Sequence, residues 1–215
     1  MDKSIQINTF NRYTRVSRET IISLKKYEKL LLKANKNLNL IGNSTIEQLW
    51  IRHFLDSSQV IDYIDKNDKS LIDIGSGAGL PGLVLAIISR DRKITLKTKL
   101  IEKSSKKVNF LNDVINKLHL NVDAVHKNIM EEPDYFSVDV IVVRAFKPLK
   151  VTLQLIHNKA RNWKKIFIFL GKTGQHELLQ ASKIWDIEYK QRASVTSNDS
   201  CVIEINKLKK KKIEK

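Results

Sequence analysis

The sequence predicts a Rossmann-like α/β fold in which a mainly parallel sheet ends in an antiparallel strand and an N-terminal helical extension precedes the sheet. Three observations predict it. Short β-branched runs alternate with helical stretches after about residue 68, a pattern typical of a parallel sheet with crossover helices. A glycine-rich turn follows the first run, and a polar segment too short for a helix joins the last two runs. We expect a helical extension over 1–68, a main domain over 69–207 and a basic tail over 208–215.

The extension is predicted to contain two amphipathic helices. From Ser17 onwards apolar residues recur every three or four positions, with Ser17 as the expected N-cap. A second helix is expected to begin at a capping box formed by Ser44 and Glu47, and its apolar stripe continues to Ile64. We expect His53, on that stripe, to be a hydrogen-bonded core residue that docks the extension on the main domain.

The main domain is predicted to contain seven strands. The first five alternate with helices and are expected to be parallel, whereas the last two form a hairpin. This arrangement is typical of class I methyltransferases, since a dinucleotide dehydrogenase more often adds a sixth crossover unit or a separate substrate domain. The predicted strands cover 71–74, 98–102, 122–126, 138–143, 166–170, 185–192 and 201–205, with helices over about 80–90, 104–119, 149–160 and 175–184.

Composition limits the partners of the protein. The 215 residues carry a formal net charge of +16, which favours a polyanion, with nucleic acid ahead of an anionic membrane surface. The abundance of lysine, isoleucine and asparagine offers a second explanation, a compositional bias without a binding role. One cysteine, Cys201, allows no internal disulfide and fits a reducing cytoplasm. No apolar run approaches about 20 residues and the histidines are scattered, so we expect neither membrane insertion nor a metal site.

The glycine-rich turn predicts where a ligand binds. Four of the seven glycines lie within eight residues, and glycine allows positive φ and close approach of the backbone to a ligand. The helix that follows offers free amides to an anionic group. The turn matches the dinucleotide fingerprint Gly77-x-Gly79-x-x-Gly82 and also Asp73-x-Gly75-x-Gly77-x-Gly79, the pattern of S-adenosylmethionine enzymes.

Other chemically active residues are predicted at the same edge of the sheet. Glu102 ends the second predicted strand, 23 residues beyond Gly79, which is the right reach for a carboxylate that binds the two ribose hydroxyls in either cofactor class. Residues 128–131 follow the third strand and Arg144 follows the fourth. Because ligands of such sheets bind outside the carboxyl ends of the strands, we expect these groups to surround one crevice.

Five motifs in fixed order carry a family resemblance. They are Asn37-Leu38-Asn39-Leu40, Arg52-His53-Phe54-Leu55-Asp56-Ser57, Asp73-Ile74-Gly75-Ser76-Gly77-Ala78-Gly79-Leu80-Pro81-Gly82, Lys106-Lys107-Val108-x-Phe110-Leu111 and Arg144-Ala145-Phe146. Together they resemble the RsmG (GidB) family of bacterial 16S ribosomal RNA guanine-N7 methyltransferases, over about residues 17–206. The resemblance implies S-adenosyl-L-methionine as cofactor, 16S ribosomal RNA or the small ribosomal subunit as partner, and N7 of one guanine, guanine 527, as acceptor.

The resemblance also implies roles for individual residues. Gly75 and Leu80 match cofactor-contacting positions, Ile129 and Met130 match the pair beside the adenine, and Arg144 matches the arginine after the fourth strand. Asn128 and Met130 replace an arginine and an acid of the family pattern, with Glu131 as an alternative partner for adenine. The expected cofactor-binding set is Asp73, Gly75, Gly77, Gly79, Leu80, Glu102, Ile129, Met130 and Arg144.

The acceptor atom predicts the kind of catalysis. Guanine N7 carries no proton, so attack on the methyl group needs no general base, and proximity and alignment dominate. We expect Arg144 to position guanine O6, a phosphate or the cofactor carboxylate.

Two other hypotheses are a nicotinamide-dependent oxidoreductase that uses the Gly77 fingerprint and a noncatalytic RNA-binding protein. We expect the methyltransferase to be a cytoplasmic monomer.

Overall fold

A computed structural model describes residues 1–131 and 133–212. The strands of its central sheet are β1 (Ser70–Ile74), β2 (Lys97–Glu102), β3 (Val122–His126), β4 (Val140–Arg144), β5 (Lys165–Leu170), β6 (Trp185–Ala193) and β7 (Cys201–Lys210). Their order in the sheet is β3-β2-β1-β4-β5-β7-β6. Strands β1 to β5 are parallel, and β7 lies antiparallel between β5 and β6. The predicted fold class is thus confirmed.

The helices flank this sheet and form the N-terminal region. Ser17 caps the long second helix as predicted, because its hydroxyl accepts a hydrogen bond from the Thr20 amide. The first helix was not predicted from the sequence, since two of its three buried residues, Gln6 and Thr14, are polar. The helices are α1 (Lys3–Thr14), α2 (Arg18–Leu38), α3 (Gly82–Asp91), α4 (Ser105–Leu118), α5 (Leu149–Lys159) and α6 (Gly174–Ser182).

Residues 43–63, here called the irregular helical segment, do not form the regular helix that the sequence predicts. The capping box is wrong, because the segment begins after Gly42 without a side-chain cap and Thr45 Oγ1 donates to the Gly42 carbonyl at 2.7 Å. The segment consists of a 3₁₀ helix (Asn43–Gln48), a π-helical turn (Trp50–Leu55), an α turn (Asp56–Ser58) and a second 3₁₀ turn (Ile61–Tyr63).

Aromatic packing accounts for the irregularity. Trp50 packs edge-on against Phe10 and Phe54, with ring centroids 5.4 and 5.1 Å away, and Phe54 stacks on Tyr27 at 5.3 Å. These contacts come from α1 and α2, so the segment must follow their surfaces rather than an ideal helix. Such π turns occur frequently at functional sites.

The N-terminal region shares its core with the sheet. Buried residues of α1 and α2 such as Phe10 and Leu24 belong to one apolar cluster with α3, α4 and one face of the sheet, and a second cluster covers the other face. The division at residue 68 stays a prediction. The strand expected to end at residue 205 continues to Lys210, and Leu208 is buried. The tail predicted from residue 208 therefore begins inside β7, and residues 213–215 lie outside the described part of the chain.

Candidate active site

A cavity of about 940 Å³ lies at the carboxyl ends of β1, β2, β3 and β4. Loops from the N-terminal region and from the start of α5 complete its walls. Two of the nine predicted cofactor-binding residues, Asp73 and Gly79, lie behind the cavity surface. The other seven line it: Gly75, Gly77, Leu80, Glu102, Ile129, Met130 and Arg144.

The glycine turn leaves room on one side only. Gly75, Gly77 and Gly79 have φ of +74°, +54° and +86°, values that side-chain-bearing residues rarely adopt. A Cβ at Gly75 would lie 2.4 Å from the Phe146 ring, and one at Gly79 would lie 2.4 Å from Leu83. A Cβ at Gly77 would meet no atom closer than the Gly75 carbonyl oxygen at 3.9 Å. Gly77 is therefore the position where a ligand can approach the backbone closely.

Asp73 supports the turn from beneath. Its carboxylate accepts a hydrogen bond from the Gly82 amide at 2.8 Å, at the start of α3, and its side chain is buried. Burial raises the pKa of Asp73 to about 7, although the Gly82 hydrogen bond acts in the opposite direction. Asp73 thus fixes the entry into α3 and does not face the cavity.

Glu102 joins the ends of β1 and β2 through its carboxylate. One oxygen accepts from the Gly77 amide at 3.0 Å and the other from the Ser104 amide at 2.8 Å. Each carboxylate oxygen retains a second lone pair, so the group is oriented and can still accept hydrogen bonds from hydroxyl groups of a ligand. This geometry fits the predicted ribose-binding role.

The loop after β3 forms an apolar ledge beside the turn. Ile129 is buried, and Met130 is 41% exposed. The Asn128 side chain accepts a hydrogen bond from the Met130 amide at 3.3 Å, so it shapes this loop, and Lys159 donates to the Ile129 carbonyl at 2.7 Å. Glu131, the alternative partner for adenine, also lines the cavity. An adenine contact by any of these residues stays a prediction.

Arg144 forms the opposite wall together with the irregular helical segment. Its Nε lies 3.1 Å from Asp56 Oδ2, in an ion pair whose side chains are 17% and 15% exposed. Its terminal nitrogens donate to Ser57 Oγ at 3.3 Å and to the Arg52 carbonyl at 3.0 Å. The third contact of these nitrogens is with His53 Nδ1, at 3.2 Å. Most of the hydrogen-bonding capacity of Arg144 is therefore directed to the Arg52-His53-x-x-Asp56-Ser57 motif.

His53 connects Arg144, through a chain of hydrogen bonds, to the loop at Gly42 that lines the cavity. Burial and the nearby charges of Arg144 and Arg52 lower the pKa of His53 to about 4, so the ring is neutral. Because Nδ1 accepts from Arg144, the proton lies on Nε2, which donates to Thr45 Oγ1 at 2.7 Å. Thr45 in turn donates to the Gly42 carbonyl. The expected docking role of His53 agrees with these contacts.

Sequence reasoning missed two further supports of the site. Asn35 makes two hydrogen bonds with the backbone of Ile41, at 2.8 and 3.2 Å, and so holds the loop that lines the cavity. Its position on the buried stripe of α2, after Leu24 and Leu31, was the available signal. Tyr27 donates its hydroxyl proton to the Ala78 carbonyl, and burial strongly raises its pKa.

The described residues add two observations on ligands and membranes. Among them, no three His, Cys, Asp or Glu side chains are grouped as metal ligands would be. No described helix combines the length and apolar character that crossing a bilayer requires.

The arrangement fits an adenosine-containing methyl donor. Gly77 allows close approach, Glu102 can accept hydrogen bonds from ribose hydroxyls, and Leu80 and Ile129 offer apolar contacts to a flat base. The fit thus rests on a turn without an obstructing side chain, one carboxylate acceptor and two apolar side chains.

Comparison with known proteins points to one family. The profile of GidB, described as rRNA small subunit methyltransferase G, matches residues 20–204. A protein of Pelagibacter ubique named ribosomal RNA small subunit methyltransferase G is 36% identical over 198 residues, covering 91% of this chain and 92% of its own. Its Rickettsia akari counterpart is 34% identical over 195 residues, covering 91% and 98%. A SAM-dependent methyltransferase structure from Aquifex aeolicus aligns with a TM-score of 0.55 and 17% identity, covering 81% and 97%, and supports the fold alone.

Proposed function

Because this chain belongs to the rRNA small subunit methyltransferase G family, we propose that it methylates N7 of one guanine of 16S ribosomal RNA, guanine 527. The family establishes an S-adenosylmethionine-dependent rRNA methyltransferase. The cofactor class decides against the nicotinamide-dependent oxidoreductase, and the enzyme class decides against a noncatalytic RNA-binding protein.

The state of His53 supports N7 as the acceptor. It is the one histidine in the described cavity lining, and both of its ring nitrogens are hydrogen bonded. Its lowered pKa makes it a poor proton acceptor near neutral pH. An acceptor atom that bears no proton needs no such base, since its in-plane lone pair attacks the methyl carbon directly. The family match carries the proposal, and a wall without a free imidazole agrees with a proton-free nucleophile.

The residues of the chain then act by holding the two reactants in line. The bound cofactor supplies an electrophilic methyl group on a sulfonium. Glu102 orients the ribose, Gly77 allows close approach of the backbone, and the turn fixes the direction of the donor. Such alignment contributes up to about 7–11 kcal/mol to lowering the barrier.

Arg144 is assigned as a positioning residue in this proposal. Its contacts with Asp56, Ser57 and His53 hold the wall next to Ala145 and Phe146, where the purine is expected to enter. Any remaining donor capacity is available to guanine O6, a phosphate or the cofactor carboxylate. N7 itself becomes part of a cationic ring on methylation, so it is not the expected partner of the guanidinium.

We further propose that the protein acts as a cytoplasmic monomer on 16S ribosomal RNA or on the small subunit. The substrate class and the single cysteine support this location.

The decisive experiment maps the methylated base. Purified protein, tritiated S-adenosylmethionine and unmethylated small subunits are incubated, and the RNA is reduced with borohydride and cleaved with aniline, which cuts at N7-methylguanine. We expect a single new cleavage, at guanine 527. Label incorporated without aniline-sensitive cleavage would overturn N7, and cleavage at another guanine would overturn the assigned nucleotide.

A further inference from the structure

Helix α2 carries a row of basic residues along its exposed side. At 100° per residue, six basic positions fall within an arc of about 100°. The row is about 27 Å long at 1.5 Å per residue. All six side chains are exposed, and together they are called the α2 basic face: Arg18, Lys25, Lys26, Lys29, Lys33 and Lys36.

The charges of the α2 basic face are not neutralised within the described part of the chain. None of the six residues forms an ion pair there. Of the two acidic residues of α2, Glu28 is buried and pairs with Lys3 at 2.8 Å, whereas Glu19 lies in the first turn, far from the central lysines. The spacing Lys25, Lys29, Lys33 places like charges at i and i+4, which destabilises a helix.

Some lysines elsewhere in the molecule do form ion pairs. On α4, Lys117 pairs with Asp113 one turn away. At the start of β5, Lys164 and Lys165 both pair with Asp68. Other exposed lysines, such as Lys190, Lys209 and Lys210, have no ion pair in the described part of the chain, as a compositional excess of lysine would produce. What distinguishes α2 is that six basic residues form one continuous row on a single helix face, within an arc of about 100°.

The α2 basic face leads to the cavity. After α2 ends at Leu38, the chain enters the loop of Leu40, Ile41 and Gly42 that lines the cavity. Helix α2 also packs against α4, and Lys103 and Lys107, before and within the first turn of α4, line the same cavity. A polyanion lying along α2 would thus meet further positive charge where its reacting base enters.

We propose that the α2 basic face binds the phosphate backbone of the ribosomal RNA segment that presents the acceptor guanine. The proposal rests on the proposed function, because it names the surface that delivers that substrate. Lysine suits this task, since a flexible ammonium group neutralises phosphates and positions the strand without reading its sequence.

The test removes three charges from the centre of the α2 basic face. The variant is Lys25→Gln/Lys29→Gln/Lys33→Gln, because glutamine has a helix propensity close to that of lysine. The matched control is Lys190→Gln/Lys209→Gln/Lys210→Gln, which removes the same charge from exposed residues of β6 and β7 at the far edge of the sheet. Binding to a 16S ribosomal RNA fragment is measured by filter retention from 50 to 200 mM salt, and methyl transfer and cofactor affinity are measured separately.

We expect the salt dependence to separate the two variants. Loss of three phosphate contacts lowers the slope of log affinity against log salt by about 2–3. The affinity advantage of the wild-type protein over the α2 variant then shrinks about 20- to 40-fold between 50 and 200 mM salt. We also expect a raised KM for RNA with unchanged kcat and cofactor affinity, whereas the control retains most of the wild-type slope.

Each other outcome has a definite meaning. An α2 variant that keeps the slope of the control overturns the proposal. Binding of the α2 variant to phosphatidylserine vesicles is measured as well, and a variant that loses vesicle binding while its RNA binding is unchanged also overturns the proposal. If the wild-type protein transfers no methyl group to 16S ribosomal RNA, the proposed function fails. The RNA-binding slopes still decide the role of the α2 basic face in that case, because they do not depend on turnover.

Discussion

The two walls of the cavity depend on different physical effects. The glycine wall, formed by residues 75–80 and Glu102, is set by backbone conformation within a short stretch and one carboxylate from the neighbouring strand. The arginine wall, formed by Arg144, His53, Asp56 and Ser57, joins Arg144 to residues 87 to 91 positions away through hydrogen bonds and an ion pair. We infer that the glycine wall is sensitive to added atoms, whereas the arginine wall is sensitive to the loss of a charged partner.

The two walls also respond to pH in opposite directions. Burial raises the pKa of Asp73 beneath the glycine wall to about 7. Because the unfolded chain ionises this group near pH 4, the free energy of unfolding falls as pH rises from about 4 to 7. The pKa of His53 in the arginine wall is lowered to about 4, so its protonation costs stability as pH falls.

Replacing Arg144 should have the largest effect. Arg144→Ala leaves Asp56 partly buried without its cation, and we expect the free energy of unfolding to fall by about 3 kcal/mol, the lower end for a broken buried pair. Turnover should fall strongly as well, because the wall next to Ala145 loses its support. Denaturant unfolding and single-turnover methyl transfer measure the two effects.

A double variant separates stability from positioning. Arg144→Met with Asp56→Leu removes both charges, and we expect part of the stability to return, since an apolar pair often replaces a buried ion pair without loss, whereas other partners such as Thr196 and the Arg52 carbonyl lose a hydrogen bond. Turnover should stay low. Full recovery of turnover would mean that Arg144 only stabilises the fold. If Arg144→Ala changed neither the free energy of unfolding nor turnover, the arginine wall would not be sensitive to the loss of a charged partner.

Adding a methyl group to the glycine wall should act mainly on the cofactor. Gly77→Ala places Cβ in open space, so the folding cost is limited to about 1–2 kcal/mol for the left-handed conformation. We expect cofactor affinity, measured by calorimetry, to fall at least about tenfold, or about 1.4 kcal/mol.

The matched control is Gly82→Ala, whose Cβ would lie 2.4 Å from Leu100 and 2.7 Å from Asp73 Oδ2. We expect this change to lower the melting temperature much more than Gly77→Ala does. Cofactor affinity equal to wild type in Gly77→Ala would contradict the assignment of the close approach to Gly77.

The smallest expected effect is the pH response of the arginine wall. The unfolded chain protonates His53 near pH 6.5 and the folded protein only near pH 4, so stability is lost as pH falls through that window. Between pH 7.5 and 5.5 we expect a loss of about 1 kcal/mol from this residue.

Denaturant unfolding of the wild-type protein and of His53→Gln at both pH values isolates this contribution, because the Asp73 contribution is common to both proteins. The variant should lose about 1 kcal/mol less than the wild type. Equal losses in the two proteins would mean that other groups govern the pH response.

Local signals account for what could be predicted from the sequence. The third strand lies over Val122–His126 as expected, Ser17 caps α2, and the glycine turn follows β1. These features depend on side-chain periodicity, on an N-cap contact between residues three positions apart, or on the φ angles that glycine allows. The family resemblance rested on the same contiguous motifs, and the comparisons confirm it.

The composition of the arginine wall became visible only in the folded protein. The irregular helical segment follows the aromatic surfaces of α1 and α2, and β7 extends to Lys210 through pairing with β6. The succession of helices and strands from β1 onwards and the glycine turn could be predicted from the sequence alone, because both arise from short-range preferences. The partners of Arg144 depend on desolvation and packing between distant segments, which no local pattern specifies.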